Sequence, residues 1–485
     1  MNANLKLKDL WYWVANFALL GSAFLSMYVN NAFPMLAVSI PLVILDRAYV
    51  VPLLLFIAAI EGSFKVQDAA SQAESTAIML IGPLFAYDFI KKNGRKVPYN
   101  LALLYIIFGM FVVIGMFTYA SHPQITQYLT SIMFKKEGGV GAYVKMFMKV
   151  IKICFFFMYL KVLINEDKDL FYRALTLIKD MAPYLAILVA LDMMMFGLVS
   201  EKFETIHFGE SHHGDFSANM NALGVYIYIS IFENKSTWFK RTVGIAGLIA
   251  LLYVVMELAS RNGLLTFILL GVMAGSLCLW NRNWGFKTVI VAIAIFAASA
   301  AVYLFKDSPT VKRFIYETEV NGGGDRLSYW SAGLTAMHEE PLFGLGGDES
   351  ASMYAVGHYD PEVPDHVMHN TFVEFAVEYG IFGLMFYLVY VSSILFYGIK
   401  NFFFAVKFDD MLLAAPTISY IISIFAGLFI SRVWESTLWY DMTLIFSIYI
   451  LWRKPVEEAI KKRKYFLMRG LPDPLTNPSL ALHPN

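Results

Sequence analysis

The sequence predicts an all-α polytopic membrane protein with about twelve to fourteen membrane-spanning helices and one long, structured loop on the outer face. Three observations predict it. Hydrophobic residues make up 58% of the 485 and charged residues 16%, whereas a soluble domain sits nearer about 45–50% and about 25%; apolar surface in that excess needs lipid as its solvent. Apolar runs of spanning length recur along the chain with no soluble domain between them. Basic residues collect on alternate segments between those runs, as the positive-inside rule requires.

In chain order the expected spans are 11–29, 32–46, 48–62, 76–90, 100–119, 146–164, 181–199, 220–233, 240–258, 262–281, 288–305, 370–398, 411–430 and 437–452. The second, third and eighth are short for a hydrocarbon core of roughly 30 Å and admit tilted, re-entrant or merged arrangements. The first run follows Lys6 and Lys8 but is long and lacks a small-x-small cleavage site, so it reads as an uncleaved span. With the N-terminus inside, most of the 38 basic residues fall on the cytoplasmic side, including Arg453, Lys454, Lys461, Lys462, Arg463, Lys464 and Arg469. The expected organisation is 1–305 as eleven helices with short loops, 306–369 as an outer helical loop, 370–452 as three more spans, and 453–485 as a basic cytoplasmic tail.

The net charge of zero selects no partner. Cys154 and Cys278 both fall inside apolar runs, so neither a disulfide framework nor a cysteine metal site is expected. No internal repeat is visible, which weighs against the inverted-repeat transporter folds. The chain has no phosphate-loop, nucleotide-binding or Asp-x-Asp signature, and nucleic acid is not an expected partner.

The long loop has its own pattern. Asp325 is placed to cap a helix over 326–338, whose apolar face is Leu327, Trp330, Leu334 and Met337. Glu339-Glu340-Pro341 ends that helix, the run Phe343 to Gly347 supplies a turn, and Asp348 starts another short helix before Pro361 and Pro364. A structured loop of this size is a candidate lid or half-site.

Four groups are suited to chemistry on that side. His366 and His369-Asn370 stand where the loop enters the next span; histidine accepts a proton near neutral pH, though a boundary histidine is more often an interfacial polar residue. Ser260-Arg261-Asn262-Gly263 breaks two apolar runs; Arg261 is a multidentate donor for phosphate, or else pairs with Glu257. Arg326 heads the loop helix, and as a lone residue it reads as a solvated charge. Lys145, Lys149 and Lys152 share one face entering the sixth span, either snorkelling to headgroups or holding an anion. Weaker signals are Arg432, the Glu374 and Glu378 pair one turn apart, and His212-His213 with Asp215, which lacks a third ligand cluster for a metal.

Together these pieces resemble the O-antigen ligase and O-antigen polymerase superfamily, which also includes bacterial protein O-oligosaccharyltransferases. The ligase-type signature of His, then Asn, Ser or Gln, nine residues, Gly, two residues and Gly, Thr or Tyr is matched by His369-Asn370, Gly380 and Gly383. The Arg-x-x-x-Leu motif is matched by Arg261 and Leu265 in a Ser-Arg-x-Gly setting. The loop pattern is matched by Arg326, Trp330, Pro341, Phe343-Gly344 and Gly346, and Asn221 to Gly224 resembles a weaker Asn-centred segment. The resemblance covers roughly 219–383, and the extra spans depart from the twelve of the ligases.

The resemblance implies a fold similar to the GT-C-type membrane glycosyltransferases. It also implies an undecaprenyl-diphosphate-linked glycan donor in the outer half of a bacterial inner membrane, with both termini cytoplasmic. The acceptor would be a growing glycan, lipid A core or a protein hydroxyl, with membrane lipid around it and a chain-length regulator or flippase as candidate partners. His369 would act as base and Arg261 and Arg326 would carry the diphosphate. Lys149, Lys152, His366, Asn370, Glu378, Asn221 and Arg432 would support substrate. No cofactor or metal is required, because the donor is already activated. The competing class is a lipid-linked oligosaccharide transporter, which predicts midplane charges and repeat symmetry.

Overall fold

The computed structural model describes residues 3–29, 33–50, 52–54, 57, 67–91, 95–133, 140–165, 168–196, 211–233, 236–258, 260–308, 310–311, 326–347, 349–360, 367–430 and 436–468. Among the described residues the structure is helical and contains no strand. A backbone surrounded by lipid must satisfy its polar groups internally, and helices do so within each segment.

The order is α1 (Ala3–Val29), α2 (Phe33–Leu45), α3 (Gln67–Lys91), α4 (Tyr99–Ala120), α5 (Pro123–Met133), α6 (Val140–Asn165), α7 (Lys168–Phe196), α8 (Ser211–Phe232) and α9 (Trp238–Glu257). There follow α10 (Arg261–Leu279), α11 (Trp284–Leu304), α12 (Arg326–Glu339), α13 (Glu349–Tyr359), α14 (Thr371–Lys407), α15 (Met411–Ala426), α16 (Ser436–Ile448) and α17 (Lys454–Met468). A five-residue π turn, Tyr449–Arg453, joins α16 to α17. Five of these, α4, α7, α9, α10 and α14, hold segments long and apolar enough to cross a membrane. Shorter apolar stretches lie at Leu10–Ser26, Phe33–Leu45, Phe216–Phe232 and Met411–Ala426. Most of the expected third span lies outside the described residues.

α15 is the hub, buried along most of its length and packed on α8, α10, α14 and α16. The outer helices instead turn large apolar residues outward, such as Ile106, Met110 and Phe117 on α4, which marks a lipid-facing rim. A set of ion pairs closes one end. There Arg47 pairs with Asp88 at 3.0 Å, Arg173 with Asp46 at 3.1 Å, Lys179 with Glu233 at 2.6 Å and Lys240 with Asp180 at 2.9 Å. Arg453 and Arg282 close the same end through backbone carbonyls of Tyr397 and Phe232.

The opposite end carries the loop helices. The helix expected over 326–338 runs Arg326–Glu339, but it packs by the other face. Tyr329, Ala332, Gly333 and Ala336 are buried, Trp330 and Met337 are half-buried, and Leu327 and Leu334 are 69% and 51% exposed. The reason is close approach: a Cβ on Gly333 would stand 2.4 Å from Met368 Sδ, so only small residues fit the crossing with the segment before α14. Two further differences are α5, an amphipathic helix inside the expected loop 120–145, and α14, which runs on to Lys407 and is broken at Gly380.

Candidate functional site

His369 sits at the start of α14, 1% exposed, with φ 49°. A left-handed φ is uncommon for a non-glycine residue and persists only where neighbours fix it. They do so from both sides. Before it, Met368 N–H donates to Ser352 Oγ of α13 at 3.1 Å, and Met368 O accepts from Trp330 Nε1 of α12 at 3.0 Å. After it, Asn370 caps α14, its Oδ1 accepting from Phe372 N at 3.0 Å and Val373 N at 3.2 Å while its Nδ2 donates to Leu428 O. Thr371 N–H donates to Gly427 O at 2.8 Å and its hydroxyl to Ile430 O at 2.9 Å. The imidazole lies 6.4 Å from the Tyr329 ring, centre to centre, so α12 covers it. Arg326 begins that same helix, one turn before Tyr329.

The break in α14 explains the signature glycines. Gly380 has φ 66° and ψ −166°, a region reserved for glycine, which releases the carbonyls of Val377 and Glu378 from the helix. The segment 341–347 takes them up. Leu345 N–H donates to Val377 O at 2.8 Å, Gly346 N–H to Glu378 O at 3.0 Å, and Ile381 N–H to Pro341 O at 2.8 Å. This strap can lie so close only because Gly344 and Gly380 lack side chains: a Cβ at either would fall 2.3 or 2.4 Å from opposing backbone. Lys149 of α6 fastens the far end, its Nζ donating to Gly347 O at 3.1 Å. Glu378 is 2% and Glu374 6% exposed, both on the short helical turn between His369 and the break. At the near end Tyr359 of α13 donates its hydroxyl to Glu339. Burial, reinforced by Glu339, pushes the Tyr359 hydroxyl above its ordinary pKa, so it remains the donor.

Arg261 reaches the same end by another route. Ser260 caps α10, accepting from Gly263 N–H at 3.0 Å, and Ser217 of α8 donates to Ser260 Oγ at 3.3 Å. The next residue, Ala218, packs with Ala426 and Ile430, and Ile430 O holds Thr371 beside His369. Asn221 is fully buried, both N–H groups of its amide being spent on Gly263 O at 2.9 Å and Thr266 Oγ1 at 2.7 Å. Its two N–H groups therefore position the first turn of α10.

The structure thus brings His369, Asn370, Glu378, Arg326, Arg261 and Lys149 to one end of the bundle. Lys152 is half-buried one turn further along α6. His366 and Arg432 lie outside the described residues. Sequence reasoning did not single out Ser352, Tyr329 or the carbonyls after Ala426 as supports of His369; nothing local marks them, because each acts across a long chain separation. The arrangement offers a buried imidazole at a helix N-terminus, with Arg-headed helices α10 and α12 at the same end, suited to an anionic leaving group and a hydroxyl nucleophile.

Fold and site together define an all-α polytopic membrane protein whose polar site is roofed by loop helices at one end of the bundle. Residues 246–388 match the family described as O-antigen ligase. That match covers less than a third of the chain and supports the resemblance to the O-antigen ligase and polymerase superfamily, whose activity is membrane glycan transfer from a lipid-linked donor to an acceptor. Arg261, Arg326, His369, Asn370 and Glu378 fall inside the matched segment; Lys149, Lys152, Asn221 and Arg432 fall outside it. No curated protein matches the chain.

Proposed function

We propose that this chain is a polysaccharide polymerase that transfers glycan from undecaprenyl diphosphate onto a growing chain at the periplasmic face of the bacterial inner membrane. The observation that carries this reading is His369, held in a left-handed conformation between α12, α13 and the capped start of α14. A neutral imidazole accepts the proton of an acceptor hydroxyl as its oxygen bonds to the anomeric carbon. The bond from that carbon to the diphosphate oxygen breaks, and polyprenyl diphosphate leaves with the electron pair. Arg261 and Arg326 hold the diphosphate, whose growing charge fixed guanidinium groups stabilise. Lys149 and Lys152 support the same anion, and Glu378 and Asn370 hold the geometry of the base. His369 is 1% exposed, so acceptor entry requires α12 and α13 to shift.

The extra spans favour a polymerase over the more compact ligases. The second reading is a ligase that attaches the glycan to lipid A core, and the description of the matched family favours it. The envelope glycan of cells carrying only His369→Ala, resolved by size beside wild type, tests both. Collapse to single repeat units is the expected result and means a polymerase. Long chains stranded on the carrier mean a ligase. An unchanged ladder removes His369 from the chemistry and moves the transporter reading forward.

A further inference from the structure

Next to Arg261 stands a residue that neither the fold nor the proposed chemistry explains. Asn262 is 4% exposed, and neither its Nδ2 nor its Oδ1 has a hydrogen-bond partner among the described residues. A buried amide left in that state destabilises the protein, and asparagine is a poorer helix former than leucine. Buried polar groups are overwhelmingly paired in folded proteins, so an unpaired one asks for a reason.

Its surroundings supply one. Asn262 is the second residue of α10, on a turn fixed by the Ser260 cap and by the two bonds from Asn221 Nδ2. The Oδ1 of Asn221, also buried, likewise has no partner among the described residues and stands at that same turn. The complement is mixed: Asn262 brings two donors and an acceptor, and Asn221 a further acceptor. A diphosphate needs donors only, and Arg261 supplies those. Acceptor oxygens beside it suit a ligand that also donates, such as the hydroxyls or acetamido N–H of a sugar.

We propose that Asn262, with Asn221 Oδ1 beside it, reads the first sugar attached to the diphosphate of the lipid-linked donor. Arg261 grips the anion and Asn262 the sugar one bond further on, so specificity and leaving-group binding share one helix turn. This rests on the glycan-transfer reading above.

The test uses Asn262→Leu, which keeps the volume and removes the unpaired amide. The full-length protein bearing His369→Ala, with and without Asn262→Leu, is purified in lipid nanodiscs. Two probes are compared: lipid-linked glycan extracted from cells carrying His369→Ala, and bare polyprenyl diphosphate. The expected result is a higher thermal midpoint together with about tenfold weaker retention of the glycan-bearing lipid and unchanged retention of the bare diphosphate. Equal retention of the glycan-bearing lipid by both proteins makes Asn262 a core residue and overturns the subsite alone. Equal loss of both probes assigns Asn262 to the architecture of α10 and overturns it as well. If the parent retains bare diphosphate but no lipid-linked glycan, the glycan-transfer reading falls and the subsite falls with it.

Discussion

His369 combines two demands that pull on the same residue. In the proposed chemistry its ring meets a substrate, and its backbone turns the chain left-handed into α14. Histidine, like asparagine, visits that region more readily than most side chains, whereas a β-branched residue does so at a cost of about 1–2 kcal/mol. Substitutions therefore separate the two roles. His369→Gly and His369→Val both lack the imidazole and are expected to abolish transfer. Thermal unfolding in detergent should nonetheless rank them apart, with the glycine form more stable by about 1–2 kcal/mol. If valine melts with glycine, the left-handed turn is not what the clamp from Trp330, Ser352, Gly427 and Leu428 maintains. Residues of this kind are only half legible in a sequence. The histidine itself stands out by its place at the end of the loop, but the partners that hold it lie across long chain separations.

Among the elements, the break in α14 matters most to the site. The strap 341–347 fills hydrogen bonds that the break opens, and the break exists because Gly380 takes a conformation closed to other residues. Gly380→Ala would force a Cβ to 2.4 Å from the carbonyl of Leu342 in addition to the dihedral strain. The expected cost is about 2 kcal/mol or more, felt as release of the strap rather than loss of the bundle. Limited proteolysis should then cut within 340–348, with transfer lost and membrane insertion retained. Gly109→Ala is the control: on α4 nothing lies within 4 Å of the added methyl, so stability holds or rises. Proteolysis of both at the same rate would mean that the strap is held elsewhere. The helices themselves were readable, since apolar runs and caps act over neighbouring residues. The packed face of α12 was not, because Leu327 and Leu334 outweigh Ala332, Gly333 and Ala336 in any hydrophobicity count. What decided the packing was close approach to Met368, which a count by hydrophobicity ignores. α5 escaped for a related reason: with 11 residues and a mixed surface it is too short to read as a span, and its one clear signal is Pro123 at the first helical position.

At the scale of the whole molecule, a cluster of ion pairs and the candidate site occupy opposite ends. The ion pairs of Arg47, Arg173, Lys179 and Lys240 gather at one end, while His369, Arg261 and the loop helices lie at the other. Insertion keeps short, Lys- and Arg-rich segments on the cytoplasmic side, so the orientation we propose has the site outward. The proposed reaction depends on it: a donor activated on a lipid carrier and an acceptor beyond the membrane would both require an outward site. The orientation can be measured without any assay of activity. In a Cys154→Ser, Cys278→Ser background, Leu334→Cys places a thiol on the exposed face of α12 and Lys461→Cys places one on the exposed side of α17. A membrane-impermeant maleimide, given to cells whose outer membrane has been opened, should label the first and spare the second until the inner membrane is broken. Labelling at 461 alone in intact cells would turn the site inward, where an extracytoplasmic acceptor could not reach it, and the proposed transfer would fail with the orientation.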